Sequence, residues 1–319
     1  MKPENSFTLS DAERGDVASL AQELTRTPPG LVDEREWLDR CRTASCHLPA
    51  RLQDRLRAFR HDPGPTGRLL LRNLPAADDV PATPQEADSV ERRATLSASV
   101  LCALSMALGD VIAYRNEKHG ALVQNVVPVP GREGQQSNAG SVPLEMHTEN
   151  AFHPHRPDYV GLFCVRGDHD RAAGLRVASV RAAMDHLDAG TVETLRRPLF
   201  TTEPPPSFGR PDSATKPHAV LTGDAEDPDI RVDFHATHTS DPWGRQAMDA
   251  LADAVRAVSE ELVLDPADLV YVDNRVALHG RSAFVPRYDG QDRWLQRTFV
   301  HLDHRRSRAV RAQHGRVLS

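Results

Sequence analysis

No run of apolar residues in this chain is long enough to cross a bilayer, and the opening MKPENSFTLSDAERGD lacks the apolar core of an export signal. A cytoplasmic chain with no membrane partner is therefore expected. Cysteine is scarce, with Cys41, Cys46, Cys102 and Cys164 scattered along the chain up to its middle. No second Cys/His pair stands at zinc-finger spacing to complete a site with Cys41 and Cys46, so the four read as buried free thiols of a reducing compartment. A dominant charge is missing too: 39 Lys and Arg against 45 Asp and Glu leave a net charge of −6. That balance excludes a nucleic-acid footprint over the chain as a whole and leaves a small molecule as the expected partner. There is no internal repeat, and no heptad or apolar patch from which an oligomeric state could be read.

What the chain does have is turns. Its 24 prolines and 19 glycines, in 319 residues that are 39% hydrophobic and 26% charged, describe one folded domain with many loops. Ser10 followed by Asp-Ala-Glu predicts an N-cap and a helix to about Leu24, ended by Pro28-Pro29-Gly30. The spacing of Trp37, Leu38, Leu48, Leu52, Leu56 and Phe59 predicts a second helical stretch over 33–61, and Arg68–Arg72 a short strand. The Ala/Leu/Ser run from Glu91 to Leu108 reads as a buried helix stopped at Gly109. Beyond residue 110, strands are expected at Leu122–Val129, Tyr159–Arg166, Ile230–Phe234, Leu269–Asp273 and Trp294–Leu302, with one more helix near Pro242–Leu262. A mainly helical portion (1–110), a strand-rich core (111–305) with a helical insert, and a solvated basic tail (306–319) follow. Together they predict an α+β fold, a jelly-roll core buttressed by helices.

Within that core, His147-Thr148-Glu149 puts an imidazole and a carboxylate two residues apart, on one face of an extended segment. His279, far downstream after an apolar strand, can bring a third ligand, and Gly280 beside it would leave room for an ion. Two His and one carboxylate with open positions form the facial triad of non-haem Fe(II) oxygenases. His153 with His155, and His235 with His238, are competing pairs that could be surface histidines or zinc ligands. Arg293 and Arg297, four apart, share one face of the following strand. Inward guanidiniums need anions and match carboxylates bidentately, so the pair suggests one carboxylate on a cosubstrate and one on a substrate. The alternative is a surface strand with salt bridges to Asp289 or Asp292.

The stretches GALVQNVVPVPG (120–131), QSNAGSVPLEMHTENAFHPHRPDYVGLFCVRGDHDR (136–171), VDNRVALHGR (272–281) and FVPRYDGQDRWLQRTFVHLDHRRSR (284–308) resemble the clavaminate synthase-like Fe(II)/2-oxoglutarate oxygenases. Within that family the resemblance is to the bacterial free amino-acid β-hydroxylases, which include asparagine oxygenase and the arginine hydroxylases. It implies a double-stranded β-helix (cupin-like) core, with Fe(II), 2-oxoglutarate as cosubstrate, O₂, and ascorbate as an additive in vitro. It implies that His147, Glu149 and His279 bind the iron and that Arg293 pairs with the distal carboxylate of 2-oxoglutarate. Arg297 would hold the substrate α-carboxylate, Glu117 and Asn138 would contact the α-groups, and Asp233 would meet the side-chain end.

Two positions depart from the family pattern. The stretch Ala173–Ser179 lacks the threonine that touches 2-oxoglutarate in many relatives, so that either Ser179 or Arg176 substitutes or cosubstrate binding is weaker. Arginine hydroxylases use two acids two residues apart, whereas Asp233 has Arg231 in the partner position, which suits an amide or a single ammonium better. The resemblance thus implies hydroxylation of a free L-amino acid at C3, with asparagine first, in peptide or other secondary-metabolite biosynthesis. A basic or ureido amino acid (arginine, lysine, citrulline) comes next, and then a desaturase or an oxygenase of a carrier-bound amino acid. A non-enzymatic metal-binding barrel is the alternative from outside the family.

Overall fold

The structure, a computed structural model, describes residues 5–208 and 214–319. Ser10 opens the first helix as its chemistry dictates. Its Oγ accepts from Glu13 N at 3.3 Å while the Glu13 carboxylate takes Ser10 N at 2.8 Å, a capping box at the head of α1 (Asp11–Thr25). The stretch expected over 33–61 divides into α2 (Arg35–Ser45) and α3 (Ala50–His61), because Pro49 cannot continue a helix and serves as the N-cap of the second. Helix α4 (Leu96–Leu108) starts later than the expected Glu91: Thr95 caps it through Oγ1, while Val90 and Arg93 are drawn into isolated bridges with Gln124 and Leu31. It is apolar nearly all round and correspondingly buried. It stops at Gly109, where a Cβ would collide with the His301 carbonyl.

In chain order the first strands are β1 (Ser6–Thr8), β2 (Arg68–Arg72), β3 (Asp110–Tyr114), β4 (Gln124–Val126), β5 (Leu144–His147) and β6 (Tyr159–Arg166). Next come β7 (Leu175–Ser179), β8 (Thr201–Thr202), β9 (Leu221–Gly223), β10 (Pro228–Ile230) and β11 (Thr237–His238). The last are β12 (Glu260–Leu262), β13 (Leu269–Asp273), β14 (Ala277–Arg281), β15 (Trp294–His301) and β16 (Val317–Leu318). Short helices α5 (Val180–Ala183) and α6 (Ala189–Leu195) follow β7, and α7 (Pro242–Val258) precedes β12. A major sheet runs β1-β2-β13-β6-β15-β3-β16, with β4 also on β15, and a minor sheet runs β12-β7-β14-β5. The two face each other as a double-stranded β-helix.

Alternation along the strands builds the layers. On β6, Tyr159 and Phe163 pack toward the helices with Trp37, Phe59 and Leu101, while Val160 and Leu162 turn inward to meet Val177 of the minor sheet. On β14, Ala277 faces inward and Leu278 outward, against Leu251 and Val255 of α7. The same parity puts His279 and Arg281 inside. On β15, Leu295 and Phe299 are inward, and so is Arg297 between them, its Cζ 4.6 Å from the Phe299 ring centroid.

Several expectations need correction. Of Leu122–Val129 only Gln124–Val126 pairs, against Leu295–Arg297 of β15. Pairing near Ile230–Phe234 lies earlier, at Pro228–Ile230, and Val232–Asp233 instead lean on Thr148 and His147. Helix α7 ends at Val258, since Glu260–Leu262 join the minor sheet beside β7. Cys46 is exposed; only Cys41, Cys102 and Cys164 are buried thiols. The basic tail is no free end: Arg311 is buried and bonds Ser307 Oγ, and Val317–Leu318 pair in parallel with Ala113–Tyr114.

Candidate metal centre and substrate cleft

His147 ends β5 and lies directly opposite His279 of β14, ring centroids 4.5 Å apart. The ladder shifts register between His279 and Arg281, and the two strands pass close there: a Cβ on Gly280 would lie 2.6 Å from Leu144 O and 3.0 Å from Met146 Sδ. Gly280 therefore makes room for a neighbouring backbone and not, as expected, for an ion. Past the end of β5, Thr148 turns away and bonds Val232 O through both N (2.8 Å) and Oγ1 (3.1 Å). Glu149 turns inward because Asn274 clamps its backbone: Oδ1 accepts from Glu149 N at 2.6 Å, and Nδ2 donates to Glu149 O at 3.0 Å. Asn274 is fully buried. It was missed in the sequence, where its only signal is its place five residues before His279.

One donor atom each from His147, Glu149 and His279 lies within 4.8 Å of the others. His147 Nδ1 sits 2.9 Å from the Glu145 carbonyl, which assigns the proton to Nδ1 and presents the bare Nε2 lone pair. Glu149 Oε2 is buried without a hydrogen-bond partner, 3.2 Å from His279 Nε2. A partnerless carboxylate oxygen converging with two imidazoles fits a divalent ion and could hold one, with the opposite face left for other ligands. Among the described residues the other such group is His169, Asp289 and Asp292, but there the Asp292 carboxylate is taken by Arg287 N and Tyr288 N at 2.7 and 2.6 Å. His153 packs on Tyr114 and accepts from His155 N, while His235 and His238 are exposed; neither pair gathers a third ligand among the described residues.

Arg297 is the hub of the charge around Glu149. It donates to Glu149 Oε1 from Nη1 at 2.9 Å, to Gln124 Oε1 from Nη2 at 2.6 Å, and to Glu117 in a short ion pair. Asn138, with its amide oxygen turned inward, accepts from Nη1 and Nη2 at 3.0 and 3.1 Å. Burial works to raise the Glu149 carboxyl, but the Arg297 guanidinium and both imidazoles hold it well below the usual carboxylate range. Glu117 goes the other way, raised by burial and by Glu149 against the pull of Arg297. His279 is lowered by burial and by the neighbouring His147.

A cleft of about 1010 Å³ opens onto these groups, lined by His147, Glu149, Glu117, Asn138, Asp233 and Arg297. His279 and Arg293 line a smaller chamber of about 30 Å³, which shares Asn138, Leu144 and Arg297 with the cleft. All eight residues expected from the sequence thus border the cleft or the adjoining chamber, which share walls. Arg293 is buried, which removes the surface-strand alternative. Neither substitute for the absent threonine reaches the chamber: Ser179 Oγ bonds Val276 O and caps Arg181 N, Arg176 points elsewhere, and the chamber wall from β7 is Leu175. Asp233 uses Oδ1 to accept from His235 N and Ala236 N, and Oδ2 has no partner among the described residues. Arg231 turns away from the cleft to bond the carbonyls of Ala151 (2.6 Å) and Phe152 (3.3 Å).

Residues 66–299 match the family model described as "Taurine catabolism dioxygenase TauD, TfdA family". L-asparagine oxygenase of Streptomyces coelicolor is 47% identical over 317 residues, 98% of this chain and 94% of that one. Clavaminate synthase 2 of Streptomyces clavuligerus is 33% identical over 299 residues, covering 91% and 90%. The solved structure of asparagine oxygenase in complex with Fe(II), 2S,3S-3-hydroxyasparagine and succinate superposes with a TM-score of 0.96, at 46% identity over 99% of both chains.

Proposed function

This chain belongs to the TauD/TfdA family of dioxygenases, and on that premise we propose that it hydroxylates free L-asparagine at C3, using Fe(II) and 2-oxoglutarate. His147, Glu149 and His279 hold the metal in this reading, and Arg293 meets the distal carboxylate of the cosubstrate. When bound there, Fe(II) with 2-oxoglutarate and O₂ supplies the oxidising chemistry, one oxygen atom entering the C–H bond and the other succinate, with release of CO₂. The chain's own residues supply aim.

The observation that carries the reading is the convergence of the three donor groups beside Arg297, which lines both the cleft and the chamber behind it. In this reading the Arg297 guanidinium supplies the charge that meets the α-carboxylate, and Glu117 takes the α-ammonium beside it. Because Arg297 touches Glu149 itself, an amino acid anchored there has its α and β carbons nearest the metal donors, which supports reaction at C3. Asp233 offers one unoccupied oxygen, which accepts one N–H of a primary amide. A guanidinium prefers two parallel acceptors, and with Arg231 turned away no second acid stands two residues from Asp233. A place in secondary-metabolite assembly belongs to the same reading, as does the cytoplasm; no helix among the described residues is long and apolar enough to cross a membrane.

Mass spectrometry on a panel of free amino acids with Fe(II), ascorbate and 2-oxoglutarate tests the proposal. The expected result is a gain of one oxygen on asparagine with matching succinate, and product NMR placing the hydroxyl at C3. No oxygen gain on any free amino acid would sink it, and activity confined to a carrier-bound substrate would move the chemistry elsewhere in the family.

A further inference from the structure

The chamber behind His279 contains a charge that the reading above does not use. Arg281 stands two residues beyond His279 on β14 and so faces inward with it. Arg293 enters from the side of the opposite sheet, immediately before β15, and the two guanidiniums line the same small space, whose other walls include Val126, Leu162, Leu175 and Leu295. Arg281 is 3% exposed and Arg293 6%. Arg281 gives one hydrogen bond, from Nη2 to Val142 O at 3.1 Å, and its Nε is buried without a partner. Its Cζ lies 5.2 Å from the Phe284 ring centroid, which fixes the plane of the fork. Neither guanidinium forms an ion pair among the described residues; burial lowers the proton affinity of both, and Arg293 lowers that of Arg281 further. Two buried cations of like sign with no counter-charge are costly to fold, and an anion seated between them removes that cost.

We infer that Arg281 is the second anchor of the cosubstrate's distal carboxylate, so that Arg281 and Arg293 grip it from the two facing sheets. Arg281 thereby replaces the contact that the absent threonine would make, at the place where β7 offers only Leu175. The inference rests on the reading of the chain as a 2-oxoglutarate enzyme. It assigns this residue a role in binding one end of that molecule.

Calorimetric titration of the Mn(II)-loaded protein separates the two claims. The probes are 2-oxoglutarate and 2-oxopentanoate, which has the same chain length with a methyl group in place of the distal carboxylate. Wild type is expected to bind 2-oxoglutarate far more tightly than 2-oxopentanoate. Arg281→Gln should weaken 2-oxoglutarate by about tenfold to a hundredfold, the range for losing a hydrogen bond to a charged group, and leave 2-oxopentanoate at the wild-type value. Arg281→Lys keeps the charge without the fork and should fall between. The thermal midpoint of Arg281→Gln without ligand should equal or exceed that of wild type, with a smaller rise on adding 2-oxoglutarate. Equal weakening of both probes, or unchanged 2-oxoglutarate binding, would overturn the assignment. Failure of wild type to bind 2-oxoglutarate would overturn the enzyme reading itself, and this inference with it.

Discussion

Glu149 Oε1 lies 2.9 Å from Nη1 of Arg297, which leaves Oε2 alone to face His279 Nε2 at 3.2 Å. The arginine thus sets the rotation of a carboxylate that a metal would share. Arg297→Ala leaves Glu117 and Glu149 as two buried carboxylates without the guanidinium that pairs with both. The expected loss is about 3–5 kcal/mol in urea denaturation, as for one partner removed from a buried pair. Adding Glu117→Gln should recover part of it, because the two sites are coupled through the same guanidinium. An additive double variant would show that Glu117 and Glu149 do not depend on Arg297 for their balance.

Arg293 makes no ion pair in the described structure, so Arg293→Ala is expected to cost little folding stability. It should abolish succinate release at ordinary cosubstrate concentration. Full turnover in that variant would remove the assignment of Arg293 to 2-oxoglutarate.

Gly280→Ala tests how closely the two metal-bearing strands must approach. The added Cβ would press on the Leu144 carbonyl, which belongs to backbone and cannot rotate aside. A loss of about 1–3 kcal/mol is expected from overpacking, together with weaker Fe(II) binding as β5 carries His147 away from His279. Metal titration followed by the thermal midpoint reads both effects. Unchanged Fe(II) affinity would mean that the strand spacing does not govern the donor geometry.

Acid should destabilise the fold through two buried histidines. Burial lowers His153 and His218 from 6.5 to about 4. The unfolded chain therefore binds more protons between those values, so this part of the stability is present above pH 6.5 and is lost as pH falls toward 4. Melts across that window should show the midpoint falling with pH. His218→Gln, which can keep the bond to Thr202 Oγ1, should flatten the slope. A flat wild-type profile would contradict the buried neutral imidazoles.

The sequence revealed most where one physical demand acted alone. Leu269–Asp273 and Tyr159–Arg166 lie in the middle of the major sheet, with apolar neighbours on both faces, and read as strands without ambiguity. The minor-sheet strands β5, β7 and β14 were hidden because their inward positions carry His147, Leu175, His279 and Arg281, a mixture with no clean alternation of apolar and polar residues. The iron donors were still legible, since a two-residue offset puts His147 and Glu149 on one side whatever pairs with them. Asn274 and Arg281 were not, because each acts through a partner supplied by folding: the backbone of Glu149 for one, an opposed guanidinium for the other. The tail misled through its charge, for Arg311 and Arg316 spend their guanidiniums on nearby carbonyls and Asp110.

That tail has a consequence for how copies of the protein keep apart. Strand β3 is paired on one side with β15 and on the other with Val317–Leu318; the Arg316 carbonyl accepts from Ala113 N at 3.1 Å and the Leu318 carbonyl from Arg115 N at 2.7 Å. Without these last residues β3 would become the outermost strand of the major sheet, with a row of bare donors and acceptors, a template onto which a foreign strand can add. The final turn of the chain thus acts as a stopper against self-templated growth, and trimming it for convenience would trade a closed margin for a sticky one.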